Sequence, residues 1–178
     1  SQYKKALKIC DKGLALDNHE HHHKFYNNKG LVLDDMGKHD KALKVLNEGL
    51  THYPKYFRLY FNKGSVYAQK NEYQKAVDNY KQAILYNPSH RSSHINLGEI
   101  AAYSGNLTKA MLSLNMALVL NPSGGTAQYN VVFMEKVANN NIQESNMIDQ
   151  SINFSKEGDD YSDINLLIKN QVAMDEGY

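Results

Sequence analysis

The sequence predicts an all-α fold, a solenoid of antiparallel helix pairs, and three observations support this prediction. Residues of the same type recur with a period of 34 along the 178-residue chain. Within each period, glycine or alanine occupies positions where two paired helices would approach closely. Each period also ends in a proline, which lacks a backbone N–H and cannot continue a helix. A fixed period of this length indicates an array of small helical units that bury their apolar faces against their neighbours.

Four series of residues share this period over three consecutive units. Three series consist of small side chains, which let neighbouring helices pack closely while bulky residues around them fill the remaining space. The fourth series is the proline that closes each unit. The series are Gly30, Gly64 and Gly98; Ala42, Ala76 and Ala110; Gly49, Ala83 and Ala117; and Pro54, Pro88 and Pro122.

The same pattern predicts the helices in order. The predicted pairs are 23–36 with 39–52, 57–70 with 73–86, and 91–104 with 107–120. The turn inside each pair is expected at Gly37, Asn71 and Gly105, because glycine and asparagine tolerate left-handed backbone.

Both ends of the chain depart from the regular pattern. Residues 1–18 are interpreted as the second helix of an incomplete repeat, so the chain is expected to be a fragment with upstream sequence removed. Residues 125–158 are predicted to form a degenerate unit with helices at 125–138 and 142–156, in which Val132 replaces the expected glycine. Residues 159–178 are predicted to be a capping helix, 160–174, with an acidic tail, because a solenoid needs an end unit with a polar outer face.

Composition argues against several classes of function. No apolar run approaches the roughly 20 residues that cross a bilayer, so no membrane span is predicted. A single cysteine, Cys10, cannot form an internal disulfide. Most of the 13 tyrosines fall at repeat core positions, so nucleic acid is not the expected partner. No phosphate-binding glycine loop is present, so we predict neither a cofactor nor an enzyme.

Charge is distributed unevenly along the chain although the net charge is only +1. Residues 1–91 contain 16 Lys and Arg against 9 Asp and Glu, whereas residues 139–178 contain 2 against 8. Neither end is extreme enough to require nucleic acid or a membrane surface. A solvated surface is the simpler interpretation, and an electrostatically steered partner is the alternative.

The three regular units resemble the tetratricopeptide repeat (TPR) consensus at residues 23–56, 57–90 and 91–124. The matching residues are Tyr26, Gly30, Leu33, Ala42, Leu46, Gly49 and Pro54 in the first; Tyr60, Gly64, Tyr67, Ala76, Tyr80, Ala83 and Pro88 in the second; and His94, Gly98, Ala101, Ala110, Leu114, Ala117 and Pro122 in the third. The resemblance implies a right-handed superhelix in which the first helix of each pair lines a concave groove. It further implies a protein–protein interaction scaffold that binds a peptide or helix of a partner protein in that groove.

The resemblance also identifies candidate groove residues. Asparagine recurs every 34 residues on the first helices, and its amide can pair with the main chain of an extended peptide. The alternative is that this asparagine is only family consensus. The predicted groove residues are Asn28, Asn62, Asn96, Asn130, Lys24, Arg58, Phe61, Tyr103 and Tyr129. Some family members grip the carboxyl terminus of chaperone tails with Lys and Arg, but the corresponding places here hold Asn27, Leu31, Ser92 and Asn96, so that ligand is not expected.

Two alternative functions compete with the scaffold hypothesis. The first is a metal-binding or metal-dependent hydrolase domain. Residues 19–23 read His-Glu-His-His-His and match the His-Glu-x-x-His zinc-hydrolase pattern, with His19 and His23 as the weak candidate ligands. Because this cluster falls on a turn between repeats, a solvated turn is the favoured interpretation, and no metal site is predicted. The second alternative is self-association, since an incomplete repeat at either end would expose an apolar helix face.

Overall fold

The computed structural model describes residues 2–16, 19–123 and 127–138, and these form eight α-helices, one short 3-10 turn at His19–His21 and no strand. The helices are α1 (Gln2–Leu14), α2 (His22–Asp35), α3 (His39–His52), α4 (Phe57–Gln69), α5 (Tyr73–Tyr86), α6 (Arg91–Tyr103), α7 (Leu107–Leu120) and α8 (Ala127–Ala138). The observed helices α3, α5 and α7 have the bounds that the sequence predicts, 39–52, 73–86 and 107–120. Among these helices, none is long and apolar enough to cross a bilayer.

The turn inside each helix pair has the left-handed backbone that the sequence predicts. The φ angle is +69° at Gly37, +59° at Asn71 and +79° at Gly105. The backbone N–H that follows each of these residues donates to the carbonyl five residues earlier, at 2.9 Å in all three turns. This arrangement satisfies a carbonyl that the end of the first helix would otherwise leave unpaired.

The periodic glycines lie where the first helix of a pair meets a bulky side chain of the second helix. A Cβ atom on Gly30, Gly64 or Gly98 would lie 2.6–2.7 Å from the nearest carbon of the opposing side chain. The opposing residues recur with the same period and are almost completely buried: Leu46, Tyr80 and Leu114. The glycine therefore sets how closely each pair of helices can pack.

The helices belong to two compact units, residues 1–88 and 89–178. In the first unit, the core between α2, α3 and α4 consists of Tyr26, Leu33, Ala42, Leu46, Leu59 and Val66. In the second unit, a separate core lies between α6, α7 and α8. Its buried members are Ala101, Ala102, Leu107, Ala110, Leu114 and Phe133.

The two irregular ends differ in how much of them the structure describes. At the N-terminus, α1 packs beside α2, and Lys29 Nζ lies 2.7 Å from Asp11 Oδ1. At the C-terminus, α8 corresponds to the predicted helix 125–138, and Val132 is 44% exposed at the place where the regular units bury a glycine. The predicted helices 142–156 and 160–174 lie outside the described residues.

Candidate functional site

In the N-terminal unit, two polar side-chain pairs join α2 and α4, the first helices of two consecutive repeats. Asn62 Nδ2 donates to Asn27 Oδ1 at 2.6 Å, and Gln69 Nε2 donates to Asp34 Oδ2 at 2.7 Å. Each pair links residues that are 35 apart, and on each helix the two pairs are separated by seven residues, or about two turns. The two helices are therefore held in one register by hydrogen bonds at two levels.

The carboxylate of Asp34 is the more deeply embedded part of this connection. Asp34 is only 6% exposed, and its second oxygen, Oδ1, accepts a hydrogen bond from His39 Nδ1 at 2.7 Å. A buried carboxylate is costly unless its oxygens are paired, and here both oxygens have a donor. Sequence reasoning missed this site. The pair Asp34–Gln69 shares its 35-residue spacing with Asn27–Asn62, but this regularity is recognised only once the contacts between the helices are known.

A further hydrogen bond links Asn27 of this amide pair to Asn28 at the surface of α2. Asn27 is 7% exposed, and its Nδ2 donates to Asn28 Oδ1 at 3.3 Å. Because the oxygen of Asn28 is the acceptor in this bond, the bond does not use the N–H donors of the Nδ2 group of this exposed residue. The direction of the hydrogen bonds from Asn62 through Asn27 thus leaves a donor at the surface.

The four periodic asparagines do not present equivalent amides. Asn28 is exposed and Asn96 is half-buried, whereas Asn62 is 6% exposed and Asn130 is completely buried. Asn62 uses its amide inside the protein, and neither polar atom of the Asn130 side chain has a hydrogen-bond partner. The residue 35 positions before Asn130 is Ile95, which cannot repeat the Asn27–Asn62 bond. Contact between these asparagines and a partner stays a prediction.

The other predicted groove residues differ in accessibility. Lys24 and Arg58 are exposed, and the Arg58 guanidinium carbon lies 5.4 Å from the centre of the Phe57 ring. Phe61 is half-buried, with its ring centre 5.7 Å from that of Tyr80. In the C-terminal unit, Tyr103 is half-buried and lies edge-on to Phe133 at 5.9 Å. The side chain of Tyr129 lies outside the described part of the chain.

The surface that α2 and α4 share is rich in hydrogen-bond donors and poor in carboxylates. Lys24 precedes Asn28 by four residues and Arg58 precedes Asn62 by four, so each pair shares one side of its helix. Helix α4 contains no Asp or Glu, and those of α2 are confined to its last two residues, 34 and 35. The exposed side chain of Leu31 adds an apolar element. We call this surface the α2–α4 face and define it as Lys24, Asn28, Leu31, Arg58 and Phe61.

Lys63 adds a second, partly buried cation on α4. Its amine lies 6.0 Å from the centre of the Tyr67 ring, and burial lowers the pKa of Lys63 below its usual value. At the equivalent place one repeat earlier, Lys29 pairs with Asp11. Burial disfavours the charged amine of Lys63, so a carboxylate brought close to it would be stabilising.

The histidine segment packs against the protein. His22 is buried, and its Nε2 lies 3.1 Å from the carbonyl oxygen of Leu16. His23 packs against Tyr56 and Tyr53, with ring centres 4.4 Å and 5.6 Å apart. Burial is the main reason that the pKa of His23 is lowered, and the positive charge of Lys24 lowers it further. The His19 side chain is not described, and the described residues contain no group of three or more His, Cys, Asp or Glu that could hold a metal ion.

Comparison with protein families identifies the repeats. Models of the tetratricopeptide repeat match residues 23–56 and residues 57–90, two consecutive 34-residue segments. The chain contains two tetratricopeptide repeats at residues 23–90, and the fold of its described part is the all-α array of helix pairs that the sequence predicts. Tetratricopeptide repeats suggest a protein–protein interaction scaffold. No curated protein sequence matches the chain.

Solved structures share the fold at low sequence identity. YrrB, a TPR protein with an unusual peptide-binding site, is 22% identical, with a TM-score of 0.59 over 74% of this chain and 66% of its own. A TPR protein from Parabacteroides merdae is 16% identical, with a TM-score of 0.65 over 97% of this chain and 66% of its own. The second TPR domain of human RPAP3, in complex with the HSP70 peptide SGPTIEEVD, is 22% identical, with a TM-score of 0.56 over 62% of this chain and 92% of its own.

The chain thus spans 66% of the length of each of the first two structures. At these identities the likeness shows the fold alone. The peptide-binding site of YrrB and the bound peptide of the RPAP3 domain are properties of those proteins.

Proposed function

We propose that this protein is a protein–protein interaction module whose α2–α4 face binds a peptide or helix of a partner protein. The observation that carries the proposal is the concentration of exposed donors on that face, Lys24, Asn28 and Arg58, beside the apolar side chains of Leu31 and Phe61. Among proteins of the same fold, YrrB has a peptide-binding site and the RPAP3 domain is bound to a peptide.

The chemistry of the face indicates what kind of segment it would bind. Lysine and arginine attract carboxylates, and the Nδ2 group of Asn28 can donate to a main-chain carbonyl whatever the side chain. Leu31 and Phe61 would cover an apolar side chain of the ligand. The partner segment is therefore acidic and carries at least one apolar residue. Its own terminal carboxylate is not required, because the basic clamp for such a group is missing.

A library of random nonapeptides displayed on phage would test the proposal. We expect selection on the immobilised protein to enrich peptides that combine Asp or Glu with an aliphatic or aromatic residue. Binding of the best peptide, labelled with a fluorophore, is then measured by fluorescence anisotropy. Affinity should fall as salt rises, because exposed charge pairs are screened over about 10 Å at 0.1 M ionic strength.

Charge reversal locates the site. The double variant Lys24→Glu, Arg58→Glu should weaken binding at least about tenfold, or about 1.4 kcal/mol. The control is Lys44→Glu, Lys81→Glu, which changes the net charge equally at exposed positions on the second helices α3 and α5. Amidation of the peptide carboxyl terminus should leave affinity unchanged. Failure to enrich any peptide, or equal weakening by both double variants, would overturn the proposal.

A further inference from the structure

The outward face of α7 differs chemically from the outward faces of α3 and α5. Each of these second helices exposes three residues at spacings of four and three, and the 34-residue period makes the three sets directly comparable. All nine side chains are exposed. The sets are Lys44, Glu48 and Thr51 on α3; Asp78, Gln82 and Leu85 on α5; and Leu112, Met116 and Val119 on α7.

The third set is wholly apolar, and we call Leu112, Met116 and Val119 the outer stripe. Their exposed fractions are 59%, 39% and 74%. The opposite side of α7, with Ala110 and Leu114, is already buried in the core of the C-terminal unit. Helix α7 is thus apolar on two sides, whereas a helix at the surface of a protein normally has one apolar and one polar side.

From this stripe we infer that α7 is a contact surface between two copies of the protein, which pair in antiparallel orientation. A helix rises about 1.5 Å per residue, so Leu112 and Val119 lie about 6 Å and 4.5 Å from Met116 in opposite directions. A two-fold axis at Met116 therefore brings Leu112 of one copy nearly level with Val119 of the other. Because all three side chains are apolar, this spacing makes the stripe complementary to itself, which is what an isologous dimer contact requires.

The charge of α7 favours the same orientation. Lys109 is the only charged residue of this helix. In a parallel pair, the two Lys109 side chains would face each other, and like charges repel. In the antiparallel pair, Lys109 lies about 10.5 Å from the axis, just past the C-terminal end of the second copy's α7. That end carries the negative pole of the helix dipole, so a lysine there is stabilising.

The remaining exposed residue of α7 does not oppose the contact. Asn115 Nδ2 donates a hydrogen bond to the Met111 carbonyl oxygen of the same helix at 2.9 Å, so part of its hydrogen-bonding capacity is met within α7. Three aliphatic side chains make a contact smaller than the standard interface of about 800 Å² per partner. The dimer is accordingly weak and depends on concentration.

Sedimentation velocity over concentrations from about 1 μM to 1 mM, the range of weak dissociation constants, tests this inference. We expect the sedimentation coefficient to rise from that of a monomer toward that of a dimer. Leu112→Asp should raise the dissociation constant at least about tenfold, because it places an uncompensated charge in the contact. Leu85→Asp is the matched control: it makes the same change at a 66% exposed position on α5 and should leave association unchanged.

Disulfide formation provides a test of the axis. Met116→Cys places two thiols at the proposed two-fold axis and should give a covalent dimer under mild oxidation. Gln82→Cys, at the equivalent place on α5, should not. Both variants retain the buried Cys10, which is only 5% exposed. The inference is overturned if the protein stays monomeric at every concentration. It is equally overturned if Leu112→Asp and Leu85→Asp have the same effect.

Discussion

Replacing Gly64 with valine tests the packing on which the repeat period depends. A Cβ atom at residue 64 would lie 2.7 Å and 2.8 Å from two ring carbons of Tyr80 and 3.2 Å from the carbonyl oxygen of Ala76. The optimal separation of two carbon atoms is about 3.5–4.0 Å. The Tyr80 ring is 1% exposed and packs against Phe61 at 5.7 Å, so it has little room to retreat. Helices α4 and α5 would have to move apart.

The expected magnitude follows from two opposing effects. Overpacking a well-filled core costs about 1–3 kcal/mol. Valine favours a helix over glycine, but only by a few tenths of a kcal/mol. The free energy of unfolding of Gly64→Val should therefore fall by about 1–3 kcal/mol. Urea unfolding followed by far-UV circular dichroism measures this difference.

Asp78→Val is the control, because it introduces the same side chain at an exposed position on α5. A surface substitution of this kind should change the free energy of unfolding by no more than about 0.5 kcal/mol. If Gly64→Val is as stable as the wild-type protein within that margin, close helix approach is not the reason for the glycine period.

Two further predictions concern Asp34 and His23. Gln69→Leu removes the donor to Oδ2 of the buried Asp34 and should cost about 1–3 kcal/mol in urea unfolding. The same change at the exposed Gln82 should cost less, and equal losses would contradict the role of the pair. Burial lowers the pKa of His23, so its contribution to stability is present above the unfolded pKa of about 6.5 and is lost as pH falls toward the folded value. Between about pH 7.5 and 5.5, the melting temperature of the His23→Phe variant should therefore fall less than that of the wild-type protein. An equal fall in both proteins would count against the effect.

The four periodic asparagines of the candidate site have equivalent places in the sequence but different surroundings in the structure. The period places Asn28, Asn62, Asn96 and Asn130 at one position of the first helices, and that much follows from counting residues. Their accessibility depends on what the neighbouring helix supplies. Asn62 meets the amide of Asn27 and is drawn into the protein, while Asn28 stays exposed. Equal spacing therefore does not make equal binding residues, because burial is a property of both partners in a contact.

The Asp34 site is a buried polar contact that the repeat pattern does not reveal. Nothing in the local sequence of α2 distinguishes this aspartate from its exposed neighbour, Asp35. Only the packing of three segments brings His39 and Gln69 to its two oxygens. The outer stripe could be predicted in part. The period aligns its residues with mostly charged and polar residues of α3 and α5, but only the structure shows that they are exposed.

By itself, the sequence determined the helix pairs, their left-handed turns and the close contacts at the glycines. Each of these depends on local backbone preference or on side-chain size at a fixed spacing, and both can be read from the order of residues. Only the tertiary structure decided which polar side chains are used inside the protein and which remain at its surface. That choice depends on distances between residues 35 apart on different helices, which the spacing along the chain does not specify.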